Sequence, residues 1–332
     1  MNHIFKAFND LKVVVVGDVM LDSYLWGTVE RISPEAPVPI VSTTKRERRL
    51  GGAANVALNL KSLGAQPIIC SVIGDDVDGA NFLLALQENE IRSNGVLKDR
   101  SRQTTVKTRI LSRRQQILRV DFETVEPISK ELEDGLIEKF LKLTSDKIDV
   151  AILQDYNKGV LTERVITEIL SICKEKGIKT VVDPKSENFF AYKNADLFKP
   201  NFREITEALN TTVDPKDLNA LEDLCNTLRE KINNKISLLT LSENGVYIAT
   251  DENQHLVSAH YRDIADVSGA GDTVLSVAAL CLAMDLELKV IAELSNLAGG
   301  LVCEEVGVVP INKNKLLQEA EMLGSFQRLP DM

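Results

Sequence analysis

Cysteine, histidine and aromatic residues are all scarce in this chain. Its 332 residues include five cysteines, three histidines and one tryptophan, and aromatics make up 5%. Cys70, Cys173, Cys225, Cys281 and Cys303 stand far apart with no Cys-x-x-Cys pair, and His3, His255 and His260 do not cluster with them. A disulfide framework and a zinc site are therefore not indicated, and buried reduced thiols are expected. Long apolar runs are missing too. The run at 13–16 is too short for a signal-peptide core, and the stretch from Val274 to Met284 falls well below the ~20 residues of a membrane span. A cytoplasmic protein without a membrane partner is expected. Positive charge is in deficit: 39 Lys and Arg stand against 49 Asp and Glu, giving −10 with no long basic block, so a nucleic-acid partner has little electrostatic support.

What is present suits an ordinary globule with a sizeable core, 44% hydrophobic and 27% charged. The length fits two domains or one large α/β domain with a small appendage. Apolar β-branched runs at 12–16, 68–73, 150–153, 180–182, 197–199 and 237–241 predict strands. Helical patterns at 53–63, 79–89, 129–143, 162–176, 216–232, 273–284 and 288–303 lie between or after them. Strands apolar on both faces, alternating with helices, predict an open α/β fold with a mostly parallel sheet covered on two sides. Two segments break the rhythm. Residues 27–50 carry Pro34, Pro37 and Pro39, and residues 104–123 alternate as strands, with Val106, Thr108 and Ile110 followed by Leu118, Val120 and Phe122. They predict a small antiparallel lid; the alternative is an edge hairpin of the main sheet.

Chemistry is concentrated in Asp266-Val-Ser-Gly-Ala-Gly-Asp-Thr273, which joins a strand-like segment to a helix apolar almost all round. Gly269, Ala270 and Gly271 let a backbone pass close to a ligand, and the first N–H groups of a helix can receive an anion. Asp272 at that helix start has two readings: an N-cap, or a working carboxylate beside an anion hole. No GxGxxG or GxxxxGK[ST] pattern occurs, so neither a Rossmann oxidoreductase nor a P-loop enzyme is indicated. Gly51-Gly-Ala-Ala-Asn55 opens a second helix, either as a plain turn or so that Asn55 can present its amide to hydroxyls. Gly17-Asp-Val-Met-Leu-Asp22 follows the first strand, where loops line the crevice of open α/β sheets, and its two acids suit a polyol.

Taken in order, Gly51 to Asn55, Asn201-Phe-Arg-Glu204 and Asp266 to Thr273 resemble the signatures of the ribokinase-like (PfkB) carbohydrate kinases, over essentially the whole chain. Gly17 to Asp22, Arg31-Ile-Ser-Pro-Glu-Ala-Pro-Val-Pro39, Asp155-Tyr-Asn-Lys-Gly159, Asp183-Pro-Lys185 and Pro200-Asn201 are similar to the kinase half of the D-glycero-β-D-manno-heptose-7-phosphate kinases. One departure is Val267, where the broad pattern has threonine; Ser268 and Thr273 can supply a hydroxyl nearby.

The resemblance implies ATP-dependent phosphorylation of the heptose 7-phosphate at its C1 hydroxyl, giving the 1,7-bisphosphate for lipopolysaccharide-core synthesis. It implies Asp272 as base and the backbone of Gly269, Ala270, Gly271 and Asp272 as the phosphoryl cradle. It places Asn201 and Glu204 near Mg²⁺ through water, the alternative or companion reading being a helix start with Asn201 as cap and Glu204 at its third position, and leaves a monovalent cation open. Asp22, Asp18, Gly51, Gly52 and Asn55 fall on the sugar side. Cations for the sugar's own phosphate are sought among Lys107, Arg109, Arg113, Arg114, Lys158 and Lys185. Ser242, Gly245, Ser268 and Asn296 fall on the nucleotide side. A homodimer through the lid is expected. The bifunctional relatives carry an HxGH signature in a further nucleotidyltransferase domain; no such signature occurs here, and a single kinase domain is expected. The alternatives are a kinase for another sugar or a nucleoside, and a non-catalytic sugar- or nucleotide-binding regulator.

Overall fold

A computed structural model describes residues 1–113 and 115–323; Arg114 lies outside the described residues. The chain opens with α1 (Asn2–Ala7) and enters β1 (Lys12–Gly17), whose four valines are buried. A long hairpin follows, β2 (Val19–Ile32) and β3 (Pro39–Gly52), with Pro34 and Pro37 in the bend. Next come α2 (Ala53–Ser62), β4 (Gln66–Gly74), α3 (Val77–Glu88) and β5 (Arg92–Asp99). A second hairpin, β6 (Val106–Ser112) and β7 (Gln115–Phe122), precedes α4 (Lys130–Leu143), β8 (Val150–Gln154) and α5 (Glu163–Lys176). Then come β9 (Lys179–Asp183), β10 (Leu197–Phe198), α6 (Phe202–Ala208), α7 (Leu218–Ile232) and β11 (Ile236–Thr240). The described chain ends with β12 (Val246–Ala249), β13 (Gln254–Val257), α8 (Ala270–Ala283), α9 (Leu288–Val302) and α10 (Lys313–Met322).

The large sheet runs β13-β12-β11-β10-β9-β8-β1-β4-β5, parallel except for the antiparallel edge pairs β11/β12 and β12/β13. Strand alternation divides the core. Val13 and Val15 join one cluster with α2, α8 and α9, while Val14 and Val16 join the other with α4, α5 and α7. Both faces are thus covered, as the continuous apolar runs require. No described helix is long and apolar enough to cross a membrane. The five cysteines are free and buried.

The second sheet, β3-β2-β6-β7, is separate from the first, so the edge-hairpin alternative does not hold. It begins at Val19 and reaches Gly52, wider than the predicted segment 27–50. It is also not wholly antiparallel: two antiparallel hairpins are joined by a parallel β2/β6 seam. The reason is topological. β2 follows β1 and β6 follows β5, and both parent strands run the same way in the large sheet, so their continuations leave its carboxyl end side by side and in one direction.

Candidate active site

The carboxyl ends of β1, β8, β9 and β10 deliver Asp18, Asp155, Asp183 and Lys199 to one edge of the large sheet, the position where open α/β sheets form their crevice. Against it stands the start of α8. Gly269 is its N-cap in a left-handed conformation with φ 84°, and a side chain there would also press within 3.0 Å of the Asn55 amide. The first intrahelical bond runs from Thr273 N–H to the Gly269 carbonyl at 3.0 Å. The N–H groups of Gly271 and Asp272 therefore have no partner within the helix, while Ala270 N–H turns back to the Val267 carbonyl at 3.3 Å.

Asp272 is the third residue of α8 and only 5% exposed. It is not an N-cap, because its carboxylate bonds to other elements rather than to its own helix start. Asn55 Nδ2, from the first turn of α2, donates to Oδ2 at 2.7 Å, and the Tyr156 hydroxyl donates to Oδ1 at 2.7 Å. Burial pushes the Asp272 pKa up to about 6, against the two hydrogen bonds, which pull it down. A second rung between α2 and α8 joins the Thr273 hydroxyl to Asn59 Oδ1 at 3.0 Å. Asn55 thus has the Asp272 carboxylate as a partner, which the sequence did not suggest.

Asp18 also departs from expectation. Its buried carboxylate accepts backbone N–H bonds from Tyr156 at 2.8 Å, Lys158 at 3.0 Å and Val160 at 3.1 Å. Because β1 and β8 are neighbours, the loop after β8 drapes over the residue following β1, and Asp18 anchors that loop instead of facing the crevice. Asp22, by contrast, sits on the lid face above it. Its carboxylate is ion-paired with Arg109 Nη1, and the Arg109 guanidinium lies 5.4 Å over the Tyr24 ring. A Cβ on Gly51 would collide with that carboxylate, which accounts for the first glycine of the pair; Gly52 is the N-cap of α2.

The remaining cations are dispersed. Lys107 pairs with Asp121 at 3.2 Å and Glu123 at 3.4 Å, and Lys158 also meets Glu123, at 2.9 Å. Arg113 is exposed in the β6–β7 turn. Lys185 is ion-paired with Glu204 and lies 5.8 Å over the Tyr156 ring. Asn201 and Glu204 form a capping box on α6, with bonds of 2.8 and 2.9 Å. Ser242 and Gly245 bracket the turn after β11, Ser268 N–H donates to Asp266 Oδ1 at 3.0 Å, and Asn296 on α9 donates to the Ser258 carbonyl at 2.9 Å. Among the described residues, no hydrogen bond links these four to Asp272.

Two residues at the centre were given no role by the sequence. Tyr156 lies within Asp155-Tyr-Asn-Lys-Gly159. Lys199, 3% exposed, pairs with Asp183 at 3.0 Å, and its ammonium lies 3.8 Å from where a Gly271 Cβ would stand. The available signal was position alone: a lysine directly after a strand, beside a neighbouring strand that ends in aspartate.

The model of the "pfkB family carbohydrate kinase" matches residues 10–315. The chain belongs to that family. By that membership it is an ATP-dependent carbohydrate kinase. The bifunctional protein HldE of Syntrophotalea carbinolica is 38% identical over 318 residues, covering 95% of this chain and 64% of the relative. That of Helicobacter acinonychis is 41% identical over 298 residues, covering 89% and 63%. The chain thus spans less than two thirds of these relatives. Phosphofructokinase-2 from Escherichia coli in complex with potassium has a TM-score of 0.79 at 19% identity, covering 95% of this chain and 99% of that one. Arabidopsis thaliana ribokinase complexed with ribose and ATP has a TM-score of 0.71 at 16% identity, covering 93% and 99%. Both structures share this fold.

Proposed function

We propose that the chain phosphorylates the C1 hydroxyl of D-glycero-β-D-manno-heptose 7-phosphate with ATP, giving the 1,7-bisphosphate. The observation that carries the phosphoryl-transfer reading is the buried Asp272 carboxylate, held by two donors at the start of a helix whose first N–H groups are free of intrahelical partners. The heptose assignment draws on the motifs shared with the heptose-phosphate kinases.

Phosphoryl transfer asks the protein for alignment, charge neutralisation and exclusion of water. Asp272 takes the proton from the sugar hydroxyl, and its pKa of about 6 leaves it ionised at neutral pH. The turn from Gly269 through Gly271, with the N–H of Asp272, cradles the transferring group, and Lys199 adds positive charge beside Gly271. Asp22 and Gly51 face the sugar, and Arg109, Lys107 and Lys185, each now paired with a carboxylate, are the cations that exchange that partner for the sugar's phosphate. Ser242, Gly245, Ser268 and Asn296 line the nucleotide side.

Both Glu204 oxygens and the Asn201 carbonyl oxygen are already engaged in hydrogen bonds, and no cluster of three metal-ligating side chains occurs among the described residues. That donor set fits Mg²⁺ held through its waters, as this ion prefers, rather than by direct ligation. When bound, Mg²⁺ neutralises charge on the triphosphate.

The lid supports a homodimer. Leu118 and Phe122 alternate with Arg119 and Asp121 along β7, so they occupy the lid face away from Arg109, and they are 53% and 57% exposed. The five buried thiols and an ATP requirement fit a cytoplasmic location.

The test is ADP formation with heptose 7-phosphate, fructose, ribose and adenosine, followed by phosphorus NMR to locate the new ester. A clear preference for a neutral sugar or the nucleoside overturns the substrate. Asp272→Asn is expected to lose about 10²-fold or more in kcat with a modest change in KM; equal rates would remove Asp272 from the chemistry.

A further inference from the structure

We propose that Tyr156 is the positioning residue of this kinase's base, its hydroxyl holding the Asp272 carboxylate ionised and fixing which oxygen edge faces the sugar. The inference rests on Asp272 acting as base, and its test is built so that the two can fail separately.

The geometry is a two-sided grip. Asn55 reaches Oδ2 from α2, and Tyr156 reaches Oδ1 from the loop after β8, each at 2.7 Å. One donor per oxygen satisfies the carboxylate's need for partners in a buried place and stops rotation about its axis, while each oxygen keeps a second lone pair for an incoming hydroxyl. Tyr156 is itself held. Its backbone N–H is bonded to the Asp18 carboxylate, which gathers Lys158 and Val160 N–H as well, so three bonds fix the loop from beneath. The Lys185 ammonium stands 5.8 Å over its ring, and a cation on that face draws electron density from the phenol and improves it as a donor.

Tyr156 cannot replace Asp272 as the base. Burial, and then the charges of Asp272 and Asp183, raise its pKa well above the ordinary phenol value, so it keeps its proton at working pH and can only donate. The groups facing Asp272 are Asn55 on α2, Tyr156, Asp183 at the end of β9, Lys199 at the end of β10 and, after β9, Lys185. Asn55, Tyr156, Lys199 and Lys185 favour the ionised carboxylate, whereas burial and Asp183 oppose it. Removing the phenol hydroxyl deletes one favourable partner, so the Asp272 pKa rises and the base is lost at higher pH than in the parent.

The experiment is the pH profile of kcat/KM for the wild type and Tyr156→Phe, with heptose 7-phosphate and MgATP. A hydrogen bond to a charged acceptor is worth on the order of one pH unit. The acid limb should therefore move up by about that amount, giving roughly tenfold loss below the limb and rates that converge on the wild type well above it. A purely structural role would lower the rate evenly at every pH; that outcome, with the limb unmoved, overturns the proposal. If Tyr156→Phe does not fold, 3-fluorotyrosine placed at 156 preserves the shape with a more acidic phenol. The limb must then move to lower pH, and an unmoved limb again overturns the proposal. Carbon NMR titration of the Asp272 carboxyl reads the same shift without turnover. Full activity in Asp272→Asn would instead sink the reading beneath, whatever Tyr156 does.

Discussion

Lys199 and Asp183 form an ion pair that is almost fully sequestered, and Gln154 Nε2 adds a bond to Asp183 at 3.1 Å. Removing one partner of such a pair leaves a charge without compensation in a dry place, at a cost of about 3–5 kcal/mol. Lys199→Met should therefore destabilise the protein by roughly that amount in urea unfolding, and adding Asp183→Asn should recover much of the loss. A single variant as stable as the parent would show that the pair is solvated. The residues of the site were unevenly legible. The Gly269 to Asp272 turn could be read because small residues before an apolar helix have few uses. Asn55 was found, but not its bond to Asp272, because nothing in the chain says that α2 and α8 lie side by side. Tyr156 and Lys199 gained their partners from the adjacency of β1, β8, β9 and β10, which no local pattern encodes. Asp18 was misread for the same reason: its three donors come from a loop more than a hundred residues away.

Among elements, those with a strong period were legible to within a few residues: the valine-rich strands, and helices such as α5, closed by Gly177 in the left-handed conformation. β5 was not, because Arg92-Ser-Asn-Gly-Val-Leu-Lys-Asp99 is an edge strand, paired along one side only, and carries charge along it. The lid was legible through its alternation, but its parallel seam depends on the order of strands in the other sheet. Its exposed apolar side leads to a definite expectation. Leu118→Asp combined with Phe122→Asp should convert the protein from dimer to monomer in size-exclusion chromatography with light scattering. A parent that runs as a monomer at micromolar concentration would rule out this pairing. Arg49 of β3 also ties the lid to the loop beside the helix start, donating to the Val306 and Val308 carbonyls at 3.3 and 3.0 Å.

At the scale of the whole molecule, the large sheet separates two cores, and α8 belongs to the one that also holds α2 and α9. Every residue of α8 from Asp272 to Leu282 is buried. Kinase sites placed on surface loops can loosen while the body of the protein stays folded. Here the carboxylate is the outermost turn of a rod driven through the interior. Heat inactivation and loss of tertiary circular dichroism should accordingly share one midpoint, and activity lost several degrees earlier would contradict this. The amide hydrogens of α8 should then exchange with deuterium among the slowest in the molecule, which ties the lifetime of the reactive geometry to the lifetime of the fold itself.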